Sequence, residues 1–297
     1  MKRKIVHHGS SSLTITLPIQ WATKYKLKKG DELETEEKGS TLIISTGNDI
    51  SSGKKVITVE NGKFTKNELS HLYQLGYDEL EIEIKDKETI KEINSRLPNC
   101  MGFEIIDQKE NKIYIKSIAS TLETEFDNML RKCFLITEDM GKELKELIEK
   151  KEWDRIEEIR NFENLNNKFT DICIRILNKK GYKNQQRTMQ MYEIVKNLER
   201  IGDEYKYICD YIKVNNKLEK NFITNLSEVI DYFSMFVLIF FKENKDLNEK
   251  MYSQRKILMN KLKIEIKKSK DPILFHFLIN IVQKTYEGFG GYSALIL

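Results

Sequence analysis

The spacing of apolar positions changes character twice along the chain. Near the N-terminus Leu13, Ile15 and Leu17 alternate with Thr14 and Thr16, the period-two pattern of a half-buried strand, and Pro18 ends it. A short helix from Gln20 to Tyr25 follows, then a turn at Lys29-Gly30-Asp31, a second alternating run, and a hairpin turn at Lys38-Gly39-Ser40 into Thr41 to Ser45. These elements predict a compact β unit over residues 1–46. So short a segment buries too little surface to be stable alone, so dimerisation is expected to be part of its fold.

The second pattern runs over residues 54–118, where four apolar runs read as strands: Val56 to Val59, Leu80 to Ile84, Phe103 to Ile106, and Ile113 to Ile115. Two helical stretches, Lys66 to Leu75 and Lys87 to Leu97, separate them, with Gly62, Gly76, Pro98, Gly102 and Asn111 at the joints. This predicts a small α+β module.

After Ile118 the strand signal stops. Phe126, Met129, Cys133, Ile136, Met140, Leu144 and Leu147 recur three and four apart, the stripe of a core-facing helix. A second helix from Trp153 to Leu177 runs into Lys179-Lys180-Gly181, cations and then glycine, as helix C-termini favour. The third carries Met191, Ile194, Leu198, Ile201, Tyr205, Ile208 and Ile212 in unbroken alternation of three and four. Three further helices are read at Leu226 to Lys242, Leu247 to Lys267, and from Asp271-Pro272 to the end. The expected architecture is a multidomain α+β chain: a β unit, a small α+β module, and an all-α region of tandem three-helix bundles at 119–216 and 217–297.

Composition narrows the function classes. Of 297 residues 40% are apolar, enough for ordinary cores, and the 32% that are charged nearly cancel to +4, so any affinity for nucleic acid is local. It is concentrated at the start: Lys2, Arg3, Lys4, Lys24, Lys26, Lys28 and Lys29 precede the first acid, Asp31. A dimer doubles that charge on a small surface, a footprint that suits the phosphate backbone. Polar His7 to Ser12 stands where a secretion signal needs an apolar core, and the lipophilic run Val229 to Phe241 is interrupted by Asp231 and Ser234 and falls short of the roughly 20 residues that span a bilayer. A cytoplasmic chain without membrane insertion is expected. Cys100, Cys133, Cys173 and Cys209 are scattered singly without zinc spacing and are expected as buried free thiols. His71 and His276 are expected to pack on their helices, and His7 and His8 to lie on the surface. No phosphate loop, nucleophile elbow or zinc motif is present, and the chain is read as a non-enzyme.

One pair of acids carries candidate chemistry. In Leu198-Glu199-Arg200-Ile201-Gly202-Asp203, Glu199 and Asp203 stand one turn apart on the same helix face, where two carboxylates can offer oxygen ligands to a metal ion. The bland alternative is a solvated face neutralised by Arg200 and Lys206. The aromatic run Phe233, Phe236, Val237, Phe240 and Phe241 reads as core before it reads as a docking stripe.

Two resemblances follow from these motifs. Gly9-Ser10-Ser11-Ser12-Leu13-Thr14-Ile15-Thr16-Leu17-Pro18, then Trp21, Leu27, Lys28-Lys29-Gly30-Asp31 and Thr41-Leu42-Ile43-Ile44, resembles the AbrB/SpoVT (MazE-like) family over the first 46 residues. That resemblance implies a homodimeric swapped-hairpin β-barrel that binds DNA. Many members carry an arginine pair where this chain has Ala22 and Thr23, so contacts to DNA fall to Lys2, Arg3, Lys4, Lys24 and Lys26, with phosphate attraction favoured over base readout. The stretch Asn197 to Glu204 resembles the E-x-x-x-D motif of the PhoU family, and with the tandem helices the resemblance covers the chain from about Leu122. It implies a regulator of phosphate uptake, with a divalent or ferric metal ion at Glu199 and Asp203 and a phosphate-transporter ATPase or a sensor protein as partner. The companion motif on the second helix falls on Phe162 and Asn166, and in Glu287-Gly288-Phe289-Gly290-Gly291 a glycine replaces the second acid. The two modules together resemble archaeal phosphate-uptake regulators. An alternative is an adaptor whose β unit only dimerises.

Overall fold

The structure is a computed structural model and describes residues 2–9, 12–46, 54–58, 64–84, 87–119, 124–215, 218–242 and 245–297. Ser10, Ser11, Val59, Gly62 and Leu122 of the sequence reading lie outside these residues. The chain is a multidomain α+β protein that divides into two compact units, Met1–Ser52 and Gly53–Leu297.

In the first unit, β1 (Val6–His8) pairs antiparallel with β2 (Ser12–Thr14), α1 spans Ile19–Lys24, and β3 (Glu34–Lys38) forms a hairpin with β4 (Thr41–Ser45). Gly39 at the hairpin turn has φ +61°, the left-handed conformation that glycine adopts at least cost. The alternating run predicted through Leu17 is a ladder only to Thr14. Ile15 and Leu17 continue as exposed chain outside any ladder among the described residues. Within one protomer the unit is two separate two-stranded ladders, and no described residue of it is buried.

The second unit begins with a four-stranded sheet, β5 (Lys54–Thr58), β6 (Glu79–Glu83), β7 (Phe103–Lys109) and β8 (Lys112–Ser117), in the order β5-β6-β8-β7. Helix α2 (Lys66–Gln74) makes the crossover between the parallel β5 and β6, and α3 (Lys87–Arg96) leads through a 3₁₀ turn at Leu97–Asn99 to the β7-β8 hairpin. Alternation decides the two faces of the sheet. Leu80, Ile82, Ile113 and Ile115 are buried with Leu69, Tyr73 and Ile93 of the helices, while Glu79 and Lys116 pair on the outer face at 2.7 Å and Lys112 reaches Glu81 and Glu83 at 2.9 and 2.8 Å.

Six long helices complete the unit: α4 (Phe126–Lys150), α5 (Glu158–Lys180), α6 (Thr188–Val214), α7 (Lys220–Lys242), α8 (Lys245–Lys268) and α9 (Pro272–Ile296). Trp153, predicted to open the second helix, lies in a separate 3₁₀ turn before α5. Helices α4, α5 and α6 pack on one another, α9 packs on α7 and α8, and the two sets join mainly through α6 against α9 and α4 against α7. All seven seam residues of α6 are buried. The aromatic run on α7 is core: Phe134 of α4 has the rings of Phe240, Phe241 and Phe236 at 4.5, 5.3 and 5.4 Å, with only Phe241 at the surface. By length and composition α7 could cross a membrane, but 56% of its apolar window is buried inside the protein, as in a core helix.

Close helix approach rests on small residues. A Cβ on Gly141 of α4 would stand 2.6 Å from the Tyr205 hydroxyl and 3.0 Å from Ile230. Tyr205 is wholly buried, so close packing leaves it no room to retreat without moving α6, and among the described residues its hydroxyl has no hydrogen-bond partner. Gly141→Ala is expected to destabilise the fold by about 1–3 kcal/mol, less in a Tyr205→Phe background, in urea melts of the four proteins of that cycle.

Candidate functional site

Two surfaces carry the candidate residues, one on each unit. On the first, Lys2, Arg3, Lys4, Lys24 and Lys26 are all exposed, and Lys24 closes α1 with its ammonium 5.3 Å from the Tyr25 ring centre. Lys26 has φ +55°, a left-handed turn that starts the chain towards Lys28, whose backbone N–H donates to Asp31 at 2.7 Å. Beside these cations Ile5, Val6, Leu13, Ile15, Leu17, Ile19 and Leu42 are all exposed. Charge and bare apolar surface thus share one small unit.

On the second unit α5 and α6 each turn a polar stripe outward. Arg160, Glu163, Asn167 and Asp171 of α5 and Lys196, Glu199, Asp203, Lys206 and Asp210 of α6 line a groove of about 540 Å³ that also takes in Ser70, His71, Gln74 and Arg96 of α2 and α3. Helical spacing fixes this arrangement, since the apolar seam of α6 faces the core and Glu199, Asp203 and Asp210 fall on the outward stripe. The groove is strongly mixed in sign. Lys196 pairs with Glu199, Arg160 with Asp210 and Arg96 with Asp171, while Lys206 reaches both Asp203 on its own helix and Glu163 on α5, the latter at 3.0 Å. Burial favours a neutral amine at Lys206, but hydrogen bonds to Asp203 and Glu163 together outweigh it and hold the ammonium above the usual lysine range.

Glu199 and Asp203 therefore do lie on one face, each already paired with a lysine. Of the neutralising residues read from sequence, Lys206 holds that place and Arg200 does not. Arg200 is exposed with no carboxylate partner among the described residues, and Lys196, one turn earlier, takes Glu199 instead. Of the three positions where a metal-binding repeat would carry further acids, Phe162 is half-buried against the core and the other two also serve packing. Asn166 is fully buried and donates from Nδ2 to the Leu198 carbonyl at 3.0 Å, locking α5 to α6 where Gly202 leaves room. Gly291 is pressed on α6, and a Cβ there would meet the Gln190 carbonyl oxygen at 3.1 Å, so a carboxylate would face a backbone oxygen. Among the described residues no three His, Cys, Asp or Glu side chains are grouped to hold a metal, and an oxygen cage does not fit around Glu199 and Asp203 with Lys196 and Lys206 in place.

At its inner end the groove meets a joint that sequence reasoning missed. Asp171, 4% exposed, accepts from Gln74 Nε2 and from Arg96 Nη2, both at 2.7 Å. One turn on, Arg175 donates to the carbonyls of Tyr73 and Tyr77 at 2.8 Å, pairs with Asp78, and lies over the rings of Tyr73 and Phe103. Lys179 completes the row on Asp78 at 2.9 Å. The spacing Asp171, Arg175, Lys179 was a legible stripe on the helix, but its partners lie about a hundred residues away and nothing local announces them. His71 and His276, expected to pack, are both exposed, because each falls on the solvent side of its helix. All four cysteines are buried, and burial pushes the Cys100 thiol up to about 12.

The family model for the PhoU domain matches residues 130–212, from α4 to near the end of α6. The chain carries a PhoU domain. The model for antidote-toxin recognition MazE, bacterial antitoxin, matches residues 7–52, and so the first unit is of that type. No curated protein and no solved structure matches the chain. The groove thus has two walls from the PhoU domain and a third from α2 and α3, which neither family model covers.

Burial raises the Asp171 carboxyl from the ordinary 3.8 to about 6, against the opposing pull of Arg96 and Gln74. The folded protein then holds this proton between about pH 4 and 6 where the unfolded chain has lost it, so stability falls as pH rises through that window. The contribution is on the order of 2–3 kcal/mol. Asp171→Asn is expected to remove this part of the slope between pH 4.5 and 7, read as unfolding free energy in urea, with the wild-type carboxyl titrating near pH 6 by NMR.

Proposed function

We propose that the chain is a non-enzymatic cytoplasmic regulator of phosphate uptake, in which the MazE-type unit forms a homodimer that binds DNA and the PhoU domain receives a phosphate-status signal from a protein partner. The observation that carries this reading is the first unit's surface, on which unburied apolar side chains sit beside exposed cations. Pairing two copies would cover the apolar residues and double the charge presented to a duplex. With Ala22 and Thr23 in place of guanidinium forks, contacts from Lys2, Arg3, Lys4, Lys24 and Lys26 fall on phosphates, which favours weakly discriminating, shape-led recognition. A phosphate-transporter ATPase or a sensor protein is the partner class that the PhoU domain suggests.

A second reading keeps the dimer and drops DNA: an adaptor that works wholly by protein contact. The polar, charge-alternating groove on the PhoU domain favours it, since such a surface suits another folded protein better than a duplex.

The two separate on one measurement. Full-length protein is expected to bind duplex DNA with an affinity that falls steeply as salt is raised from 50 to 200 mM, by about 10³-fold or more if six or more phosphates are contacted across the dimer. Replacing Lys2, Arg3 and Lys4 with Gln should flatten the salt slope and weaken all sequences alike. Binding indifferent to salt and to those three changes would leave the adaptor.

A further inference from the structure

Four cations and five carboxylates line the groove, and one of the cations is placed unlike the rest. The ammonium of Lys206 is shared between carboxylates from two helices, Asp203 of α6 and Glu163 of α5, and lies 5.1 Å from the centre of the Tyr207 ring. Glu163 is itself buried and fixed, accepting a second hydrogen bond from Asn167 Nδ2 at 2.8 Å. Lys196, Arg96 and Arg160 each serve one groove carboxylate; Lys206 alone among them bridges two groove acids on different elements.

Two carboxylates held towards one point are what a hard cation binds, and removing the charge at that point leaves Asp203 and the buried Glu163 without their shared cation. We propose that Lys206 is a resident cation: its side chain occupies the position that a divalent ion would take between Glu163 and Asp203, so the α5-α6 face is fastened without metal. An ammonium supplies one charge at hydrogen-bond distance, needs no free ion and cannot be removed by a chelator. The acids that remain behind it form a latent divalent-cation site, closed by Lys206 and opened by its removal. The inference concerns the helical region alone and does not depend on whether the first unit binds DNA.

Thermal melts of the full-length chain test it, with EDTA or with millimolar Mn²⁺ or Mg²⁺ added. The wild type is expected to purify without stoichiometric metal and to melt at the same temperature in EDTA and in either metal. Lys206→Ala should melt several degrees lower in EDTA and regain much of the loss with Mn²⁺, and it should bind about one equivalent of Mn²⁺ by electron paramagnetic resonance. Adding Glu163→Gln and Asp203→Asn to that variant should abolish the Mn²⁺ response, while Lys206→Arg, which keeps the charge, should behave as wild type. Two results would overturn the proposal: wild-type protein that carries metal and loses melting temperature when it is stripped, or Lys206→Ala protein whose melting and Mn²⁺ binding match the wild type. Should Lys206→Ala fail to fold, Lys206→Gln, which keeps most of the side chain and removes its charge, takes its place in the same comparison with the same two overturning results.

Discussion

Burial of the α6 seam is the constraint on which the second unit depends. Met191, Ile194, Leu198, Ile201, Tyr205, Ile208 and Ile212 are wrapped by α4, α5 and α9, so a carboxylate on α6 that points inward needs a cation to meet it. Its acids have two outlets. Glu199 and Asp203 reach the groove beside α5, while Glu204 is buried on the α9 side and takes Lys284 at 2.7 Å with Asn280 beside it. Glu204 leaves no freedom in the α6-α9 contact, because a buried carboxylate that lost its lysine would cost several kcal/mol. The glycines at 202, 288 and 291 then let the backbones come close enough for the seam to close.

The same helix pair sets how the small α+β module is held. Since α6 fixes α5, the stripe Asp171, Arg175 and Lys179 is presented as a rigid row, and α2, α3 and the loop at Asp78 dock on it through charge-assisted hydrogen bonds. Arg175 satisfies two backbone carbonyls and one carboxylate while stacking on two rings, a geometry that lysine could not reproduce. The groove owes its third wall to this joint. A change at Arg96 or Asp171 would therefore alter both the joint and the polar surface beside Glu199, whose negative charge also bears on Asp171.

What was legible in the sequence was whatever has a period. The helix stripes, the sheet alternation and the Gly181 stop all report local geometry and recur in the structure, although α5 begins at Glu158 and not at Trp153 and α7 at Lys220 and not at Leu226. The acid pair on α6 was legible for the same reason. What it faces was not: Glu163 and Asp171 come from another helix and Arg96 from another module, whereas the choice of Lys196 over Arg200 follows from i,i+3 spacing on α6 itself. Asn166 and Gly291 were visible as departures from a metal-binding pattern, but their use as a helix staple and a close contact needed the packed neighbours. The strand through Leu17 was over-read because alternation shows which residues want cover and not which chain supplies it.

That last point divides the two units. The second unit buries its apolar stripes internally and pairs nearly every charge in its groove within itself. The first has no buried residue among those described, and its strands form two separate two-stranded ladders. A segment in that condition gains most from a surface of the same pattern and pitch, and another copy of itself supplies one at no further cost in sequence, through a closed two-fold contact. Any such pairing brings together two sets of Lys2, Arg3, Lys4, Lys24 and Lys26, like charges that repel unless a polyanion lies between them. In such a pairing the exposed apolar residues would favour association while the cations would make its strength depend on salt.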